Sequence, residues 1–248
     1  MKLNFLGSAD SAGIPVHNCS CAICCEYRGK GMTNFSTSAY LELKNGVILL
    51  DAGVENISNI FDGKTIKAIL LTHFHADHCL GLLRLRHSID KIDCYHPEDN
   101  EGFSDLFKHN HSISYTQIDT FKTLNFEEFV ITPIPLKHSK NTLGYCIEYK
   151  DKTIVYLTDC FGLKKESYDF LKNKNIDFAF IDACYDERKI KGNHLNYLQA
   201  SKILDELEVE NGYLMHISHT TKDYIQENNI ELKYRYVEPN DSFDFDVK

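Results

Sequence analysis

The sequence lacks any uninterrupted apolar run approaching the ~20 residues a membrane span needs, so a membrane-spanning helix is not expected. Its opening, Met1-Lys2-Leu3-Asn4-Phe5-Leu6-Gly7, is too short for a signal peptide, and the expected compartment is the cytoplasm. It also lacks a block of Lys or Arg long enough to track a polyanion, and 27 Lys and Arg against 36 Asp and Glu leave a net charge of −9. Nucleic acid and membrane are therefore not expected partners, although a local patch could still hold a phosphate. No internal repeat, low-complexity segment or linker divides the chain, which reads as one domain over residues 1–248, with a small cysteine-rich loop near 19–25. With no export signal, the nine cysteines argue against a disulfide framework and for thiols that are core or metal-bound.

The densest chemistry lies at Thr72-His73-Phe74-His75-Ala76-Asp77-His78, directly after the apolar run Ala68-Ile69-Leu70-Leu71. A buried strand that delivers three imidazoles and a carboxylate onto its terminal turn is building a metal site. Imidazole with carboxylate suits zinc, manganese or iron, and ligands spaced this tightly cannot all reach one ion, so two ions are expected. The pattern then recurs. Strand-like residues 129–136 lead to His138, a hairpin of residues 144–148 and 153–157 delivers Asp159, residues 176–181 deliver Asp182, and residues 212–215 run into His216. Metal-type residues at successive strand ends imply one shared site along the rim of a sheet.

Other stretches are read around this series. Residues 38–43 and 46–51 form a hairpin through Asn45-Gly46, ending in Asp51, either a turn residue or a carboxylate that orients a ligand histidine. Residues 79–86 predict a short helix, and Asn193 an N-cap for an amphipathic helix that His194 opens. The loop from Gly7 to Pro15 lacks the lysine of a phosphate-binding P-loop and reads as a tight turn beside the site. Residues 96–125 are uninformative, and His87, His96, His109 and His111 receive no role. Cys79, Cys94, Cys146, Cys160 and Cys184 are dispersed and read as core. Cys19-x-Cys21-x-x-Cys24 brings three thiols near each other, either an unmetallated cluster or a zinc site wanting a fourth ligand, and Cys25 stands as an alternative to Cys24.

These residues resemble the metallo-β-lactamase superfamily, whose H-x-H-x-D-H signature appears as His73-x-His75-x-Asp77-His78, with later ligands matching His138, Asp159 and His216. Within it, the Cys cluster, His138-Ser139-Lys140, Asn193-His194 and His216-Ile217-Ser218-His219 resemble the phosphoribosyl cyclic phosphodiesterases, the PhnP-like branch of the carbon-phosphorus lyase pathway. The resemblance implies an α/β fold, an αββα sandwich, with two divalent ions, Mn²⁺ or Zn²⁺. His73, His75 and His138 would hold one, Asp77, His78 and His216 the other, with Asp159 between them. It implies that His219 completes a structural Zn²⁺ site with Cys19, Cys21 and Cys24.

The implied reaction is hydrolysis of 5-phosphoribosyl 1,2-cyclic phosphate to ribose 1,5-bisphosphate, with His194 as general acid, Asp77 counted beside it in catalysis, and Ser139 and Lys140 on the substrate's phosphate. The alternatives are an RNA-processing nuclease similar to tRNA 3′-end endonucleases, whose inserted arm has no room between His138 and Asp159, and a lactonase or thioesterase. Di-iron redox relatives carry glutamate where this chain has His75. Residues 237–242 depart from the family's usual Asp-Gly-Met-like end, which puts the C-terminal edge of the pocket in question. A homodimer is compatible with all of this.

Overall fold

The computed structural model describes residues 1–102 and 104–246. Short, largely apolar runs pleat into two sheets, and strands such as Gly46–Leu50, Thr142–Tyr149 and Phe178–Asp182 are buried on both faces. The first contains β1 (Lys2–Ala9), β2 (Phe35–Ser36), β3 (Ser38–Leu43), β4 (Gly46–Leu50), β5 (Ile66–Leu70), β6 (Ile92–His96) and β7 (Ile113–Gln117). The second contains β8 (Leu124–Asn125), β9 (Phe129–Leu136), β10 (Thr142–Tyr149), β11 (Lys152–Leu157), β12 (Phe178–Asp182) and β13 (Asn211–Met215), while β14 (Ser242–Asp244) returns to the first. The strand orders are β14-β1-β3-β4-β5-β6-β7, with β2 beside β1, and β13-β12-β11-β10-β9-β8.

Alternation within single strands decides the layering. In β4, Ile48 and Leu50 join Leu3, Phe5, Tyr145, Tyr156 and Phe180 in a core between the sheets. Val47 and Leu49 of the same strand face outward onto Ile57, Phe61, Leu82 and Leu85, which lie on or beside α2 (Ile57–Ile60) and α4 (Leu82–Leu85). On the far side, Val155, Leu157 and Ile181 pack against α1 (Ala22–Lys30), α6 (Lys165–Lys172) and α7 (Tyr197–Glu206) through Ile23, Leu171 and Leu204. Two sheets with helices on both outer faces make the expected αββα sandwich. The remaining helices are α3 (Ala76–Cys79), α5 (Ser104–Lys108) and α8 (His219–Glu227). Among the described residues no helix is long and apolar enough to cross a membrane.

Local expectations needed correction in two places. The helix expected over residues 79–86 is instead the pair α3 and α4, broken where Gly81 turns against Ala52, whose carbonyl accepts from Gly81 N at 2.8 Å. Asn193 is not the N-cap of α7: Asn196 is, its side chain accepting from Gln199 N while the Gln199 side chain accepts from Asn196 N, a capping box. Asn193 and His194 therefore lie in the loop ahead of that helix. The atypical C-terminal segment runs beside β13, where Val237 N donates to Leu214 O at 2.8 Å, and reaches the site's surroundings through Tyr236, whose hydroxyl donates to Ala183 O at 2.6 Å.

Candidate metal centre

The sheet ends build the site one backbone turn at a time. Past β5, Leu71 N still donates to Tyr95 O and Leu71 O accepts from the buried Tyr145 hydroxyl, so the chain stays inside the sandwich until Thr72. His73 emerges fully buried, and His75 sits at the N-cap of α3, whose first turn carries Asp77 and His78. Asp51, Asp159 and His216 each end a strand with a left-handed turn, at φ of 65°, 52° and 65°. That conformation is unfavourable for non-glycine residues, and its recurrence at three strand ends marks a rim held in place by its surroundings.

Two four-membered groups of ligand-type atoms result, each with all its members within 4.8 Å of one another, and Asp182, His194 and His216 form a third, smaller one. In the first, His75 Nδ1 lies 2.8 Å from His73 Nε2 and 3.3 Å from His138 Nε2, and both of those nitrogens lie 3.7 Å from Asp159 Oδ2. In the second, His78 Nε2 lies 3.4 Å from Asp77 Oδ2 and 3.2 Å from Asp159 Oδ1, and His216 Nε2 is 3.3 Å from that same oxygen. Asp159 thus divides its two oxygens between the groups.

The opposite ring edges are tied down. His73 Nδ1 meets Thr72 Oγ1 at 3.0 Å, His78 Nδ1 donates to Asp51 Oδ2 at 2.7 Å, and His138 Nδ1 donates to Asn193 O at 3.1 Å. A proton held on Nδ1 leaves the Nε2 lone pair facing the cluster. His78 Nε2 and both nitrogens of His216 are buried without a hydrogen-bond partner among the described residues. Buried polar atoms left this way are costly unless something neutralises them, and convergent nitrogen lone pairs beside a carboxylate match the donor set of a divalent cation. The residues present fit divalent metal.

Electrostatics follow the same crowding. Burial, with the neighbouring His78 charge, holds His73 well below the usual histidine range, and burial lowers His75 and His138 as well. Burial opposes ionisation of Asp159, but His216 and His78 outweigh it and hold its carboxyl well below the usual range. His78 goes the other way: burial disfavours its charge, yet Asp159 and Asp51 keep it well above 6.5.

His194 stands beside both groups. Its ring stacks on His216 with centroids 4.6 Å apart and lies 5.2 Å from that of His138, while Nδ1 donates to Asp182 Oδ2 at 2.6 Å. Asp182 is fully buried and also accepts from Cys160 N and Cys184 N. As an acid at a strand end, it carried no sequence signal that set it apart from Asp159, and its partnership with His194 was missed.

The thiols gather as well. His219 Nδ1 lies 3.5 Å from Cys19 Sγ, 3.6 Å from Cys21 Sγ and 3.6 Å from Cys24 Sγ. Cys25 is exposed and turned toward Ser20 O, so Cys24 takes the third position. Lys140 follows His138 in the same loop, but its ammonium is engaged by Asp99 Oδ2 at 3.0 Å and Glu101 Oε2 at 3.2 Å, and Ser139 is exposed.

A family model described as a beta-lactamase superfamily domain matches residues 47–217. The chain belongs to this superfamily. Its metallo-β-lactamase architecture recurs in the crystal structure of a new diphosphatase from the PhnP family, with a TM-score of 0.82, 22% identity, and coverage of 98% of this chain and 96% of that one. It recurs in the short form of human tRNase Z at a TM-score of 0.73 and 17% identity, over the full length of both chains. At such identities these likenesses speak for the fold alone. Ribonuclease Z of Pyrococcus horikoshii is 28% identical over 131 residues, 46% of this chain, and the chain spans 43% of that enzyme's length.

Proposed function

We propose that this superfamily member is a metal-dependent phosphodiesterase acting on a small cyclic phosphodiester, 5-phosphoribosyl 1,2-cyclic phosphate, to give ribose 1,5-bisphosphate. The observation that carries the reading is the His194–Asp182 pair, 2.6 Å apart, set against two ligand groups that share Asp159. His73, His75, His138 and Asp159 would hold one ion, and Asp77, His78, Asp159 and His216 the other. When bound, such a pair supplies Lewis acidity at a phosphoryl oxygen and lowers the pKa of a water molecule.

The remaining work falls to the protein. Asp182 accepts a hydrogen bond from His194 Nδ1–H and so favours the imidazolium, whose Nε2 proton can pass to the departing oxygen. Burial disfavours that charge, but Asp182 outweighs it and raises His194 to about 9, keeping the acid form through neutral pH. Asp51 and Thr72 hold the rings of His78 and His73 so that their free lone pairs need not reorganise. Ser139 and Lys140 are the groups we assign to the substrate's phosphate, Lys140 having a third donor beyond those given to Asp99 and Glu101. Cys19, Cys21, Cys24 and His219 match the donors of a closed structural zinc site.

Steady hydrolysis of the cyclic diester by protein reconstituted with Mn²⁺ or Zn²⁺, lost in a His194→Ala variant that retains both metals, is the expected result. Full activity in that variant would remove the proposed acid. The nuclease reading draws on the Ribonuclease Z likeness, and precursor tRNA cleavage on a gel tests it; the net charge of −9 and the short β10–β11 hairpin, where an inserted arm would sit, weigh against it.

A further inference from the structure

His194 is carried by residues 183–196, which leave the sheet after β12 and lead into α7. The base of this excursion is closed by backbone bonds, Tyr185 N to Leu195 O at 3.1 Å and Tyr197 N to Tyr185 O at 3.0 Å. Its far limb is held to α7, where the Asn196 amide donates to Lys189 O and the Gln199 amide to Ile190 O. Its near limb is held to a different helix. Arg188 turns its guanidinium back onto Asp186 with two bonds of 2.7 Å, one from Nε to Oδ1 and one from Nη2 to Oδ2, and the centre of that group lies 3.8 Å from the ring centroid of Tyr224 on α8. The Tyr224 hydroxyl then donates to Glu187 Oε1 at 2.8 Å. An in-plane bidentate pair leaves the guanidinium face free to stack, so one arginine satisfies both partners at once, which a lysine ammonium does not.

We propose that Arg188 and Tyr224 are positioning residues for His194, clamping its loop onto α8 so that the imidazole is aimed at the departing oxygen. The inference rests on the reading of His194 as general acid. Among the described residues the His194 side chain has one hydrogen bond, to Asp182, and its ring lies against those of His138, Tyr185 and His216. A single bond fixes Nδ1 but allows the ring to pivot, so the direction of Nε2 is set by where the backbone of residue 194 lies. The clamp controls that backbone from the side of the loop α7 does not reach. Helix α8 is itself fixed beside the site, because Ser218 caps it, Thr221 Oγ1 donates to Cys184 O at 2.8 Å, and its first residue is His219.

Leaving-group dependence separates positioning of an acid from general support. Bis(p-nitrophenyl) phosphate expels a phenolate that departs without a proton, whereas adenosine 2′,3′-cyclic phosphate expels an alkoxide that needs one. With the metal-loaded protein, Arg188→Ala, Arg188→Lys and Tyr224→Leu should lower kcat on the cyclic nucleotide about fivefold to twentyfold, leaving kcat on the aryl diester within about twofold. Tyr224→Phe, which keeps the ring, should restore most of the loss. In metal-free protein, the downfield proton resonance of the His194–Asp182 bond, assigned by its disappearance in His194→Gln, should broaden in Tyr224→Leu while circular dichroism is unchanged. Equal losses on both substrates, or none on either, would overturn the clamp. If His194→Ala shows no difference between the two leaving groups, it is the general-acid reading that fails instead.

Discussion

At the scale of single residues, the site is an arrangement of buried polar atoms that need one another. Asp51 is fully buried, and its carboxylate accepts from His78 Nδ1 at 2.7 Å, Thr72 N at 2.7 Å and the Thr72 hydroxyl at 2.9 Å. Replacing it with alanine takes the acceptor away from all three donors in the interior. Asp51→Ala should therefore destabilise the metal-free protein by about 2–4 kcal/mol. It should also weaken divalent-metal binding about 10–100-fold, because His78 loses the partner that fixes its ring. Thermal melting and titration against a competing chelator measure the two effects, and unchanged metal affinity would show that Asp51 does not act through His78. Much of this level was legible in the residues, since imidazoles and carboxylates at strand ends announce themselves by type. What was not legible is which acid serves which histidine. Asp51, Asp159 and Asp182 all follow apolar strands, and only their positions in space make one an orienting group for His78, one shared between two clusters, and one the partner of His194.

At the scale of elements, the strands that carry the site were readable because β4 and β11 carry continuous apolar runs. The single rim expected is instead shared by two sheets, β4 and β5 ending in one and β9, β11, β12 and β13 in the other, and the helices were less legible. Helix α1 hides its buried residues Ile23, Cys24 and Tyr27 among thiols and charges, and α8 buries only Thr221, so neither shows an apolar stripe in the sequence. Glycine supplies a second constraint that composition does not reveal. A Cβ on Gly53 would sit 1.6 Å from Asp77 O and 2.6 Å from Asp77 C, because the turn after β4 lies directly against the start of α3. Neither side of that contact is a flexible side chain. Gly53→Ala should displace the turn that carries Asp77 and His78, costing about 3 kcal/mol or more by overpacking and abolishing hydrolysis without altering a ligand. Wild-type melting temperature and activity in this variant would show that the turn can yield. Gly81 is needed in the same terms, since its Cβ would lie 2.6 Å from Val54 O and 2.7 Å from Ala52 O. Its N–H goes to Ala52 O instead of along the helix, which is why residues 79–86 do not form one helix.

At the scale of the whole molecule, the metal-free protein has to carry histidines pulled in opposite directions. Burial holds His73, His75 and His138 below 6.5, so as pH falls through that value the unfolded chain takes up protons that the folded chain refuses, and stability is lost on the acid side. His78 and His194 differ: burial disfavours their charge, but Asp159 with Asp51 raises the first, and Asp182 raises the second to about 9. Their folded states keep a proton that the unfolded chain releases above 6.5, so their contribution is complete below that pH and lost as pH rises through the folded values. The metal-free protein should therefore be most stable near pH 6.5, falling on either side by up to about 1.4 kcal/mol per pH unit for each proton exchanged. Loaded protein should depart from this on the alkaline side. Metal binding requires unprotonated ligand nitrogens and adds stability through mass action, so its contribution grows as pH rises. Thermal melts of chelator-treated and Mn²⁺-reconstituted protein, taken from about pH 5.5 to about pH 8.5, should diverge above pH 6.5. Two curves that stay parallel across that range would mean that ions do not bind at the histidines whose protonation sets the metal-free curve, and the two-ion assignment would fall with them.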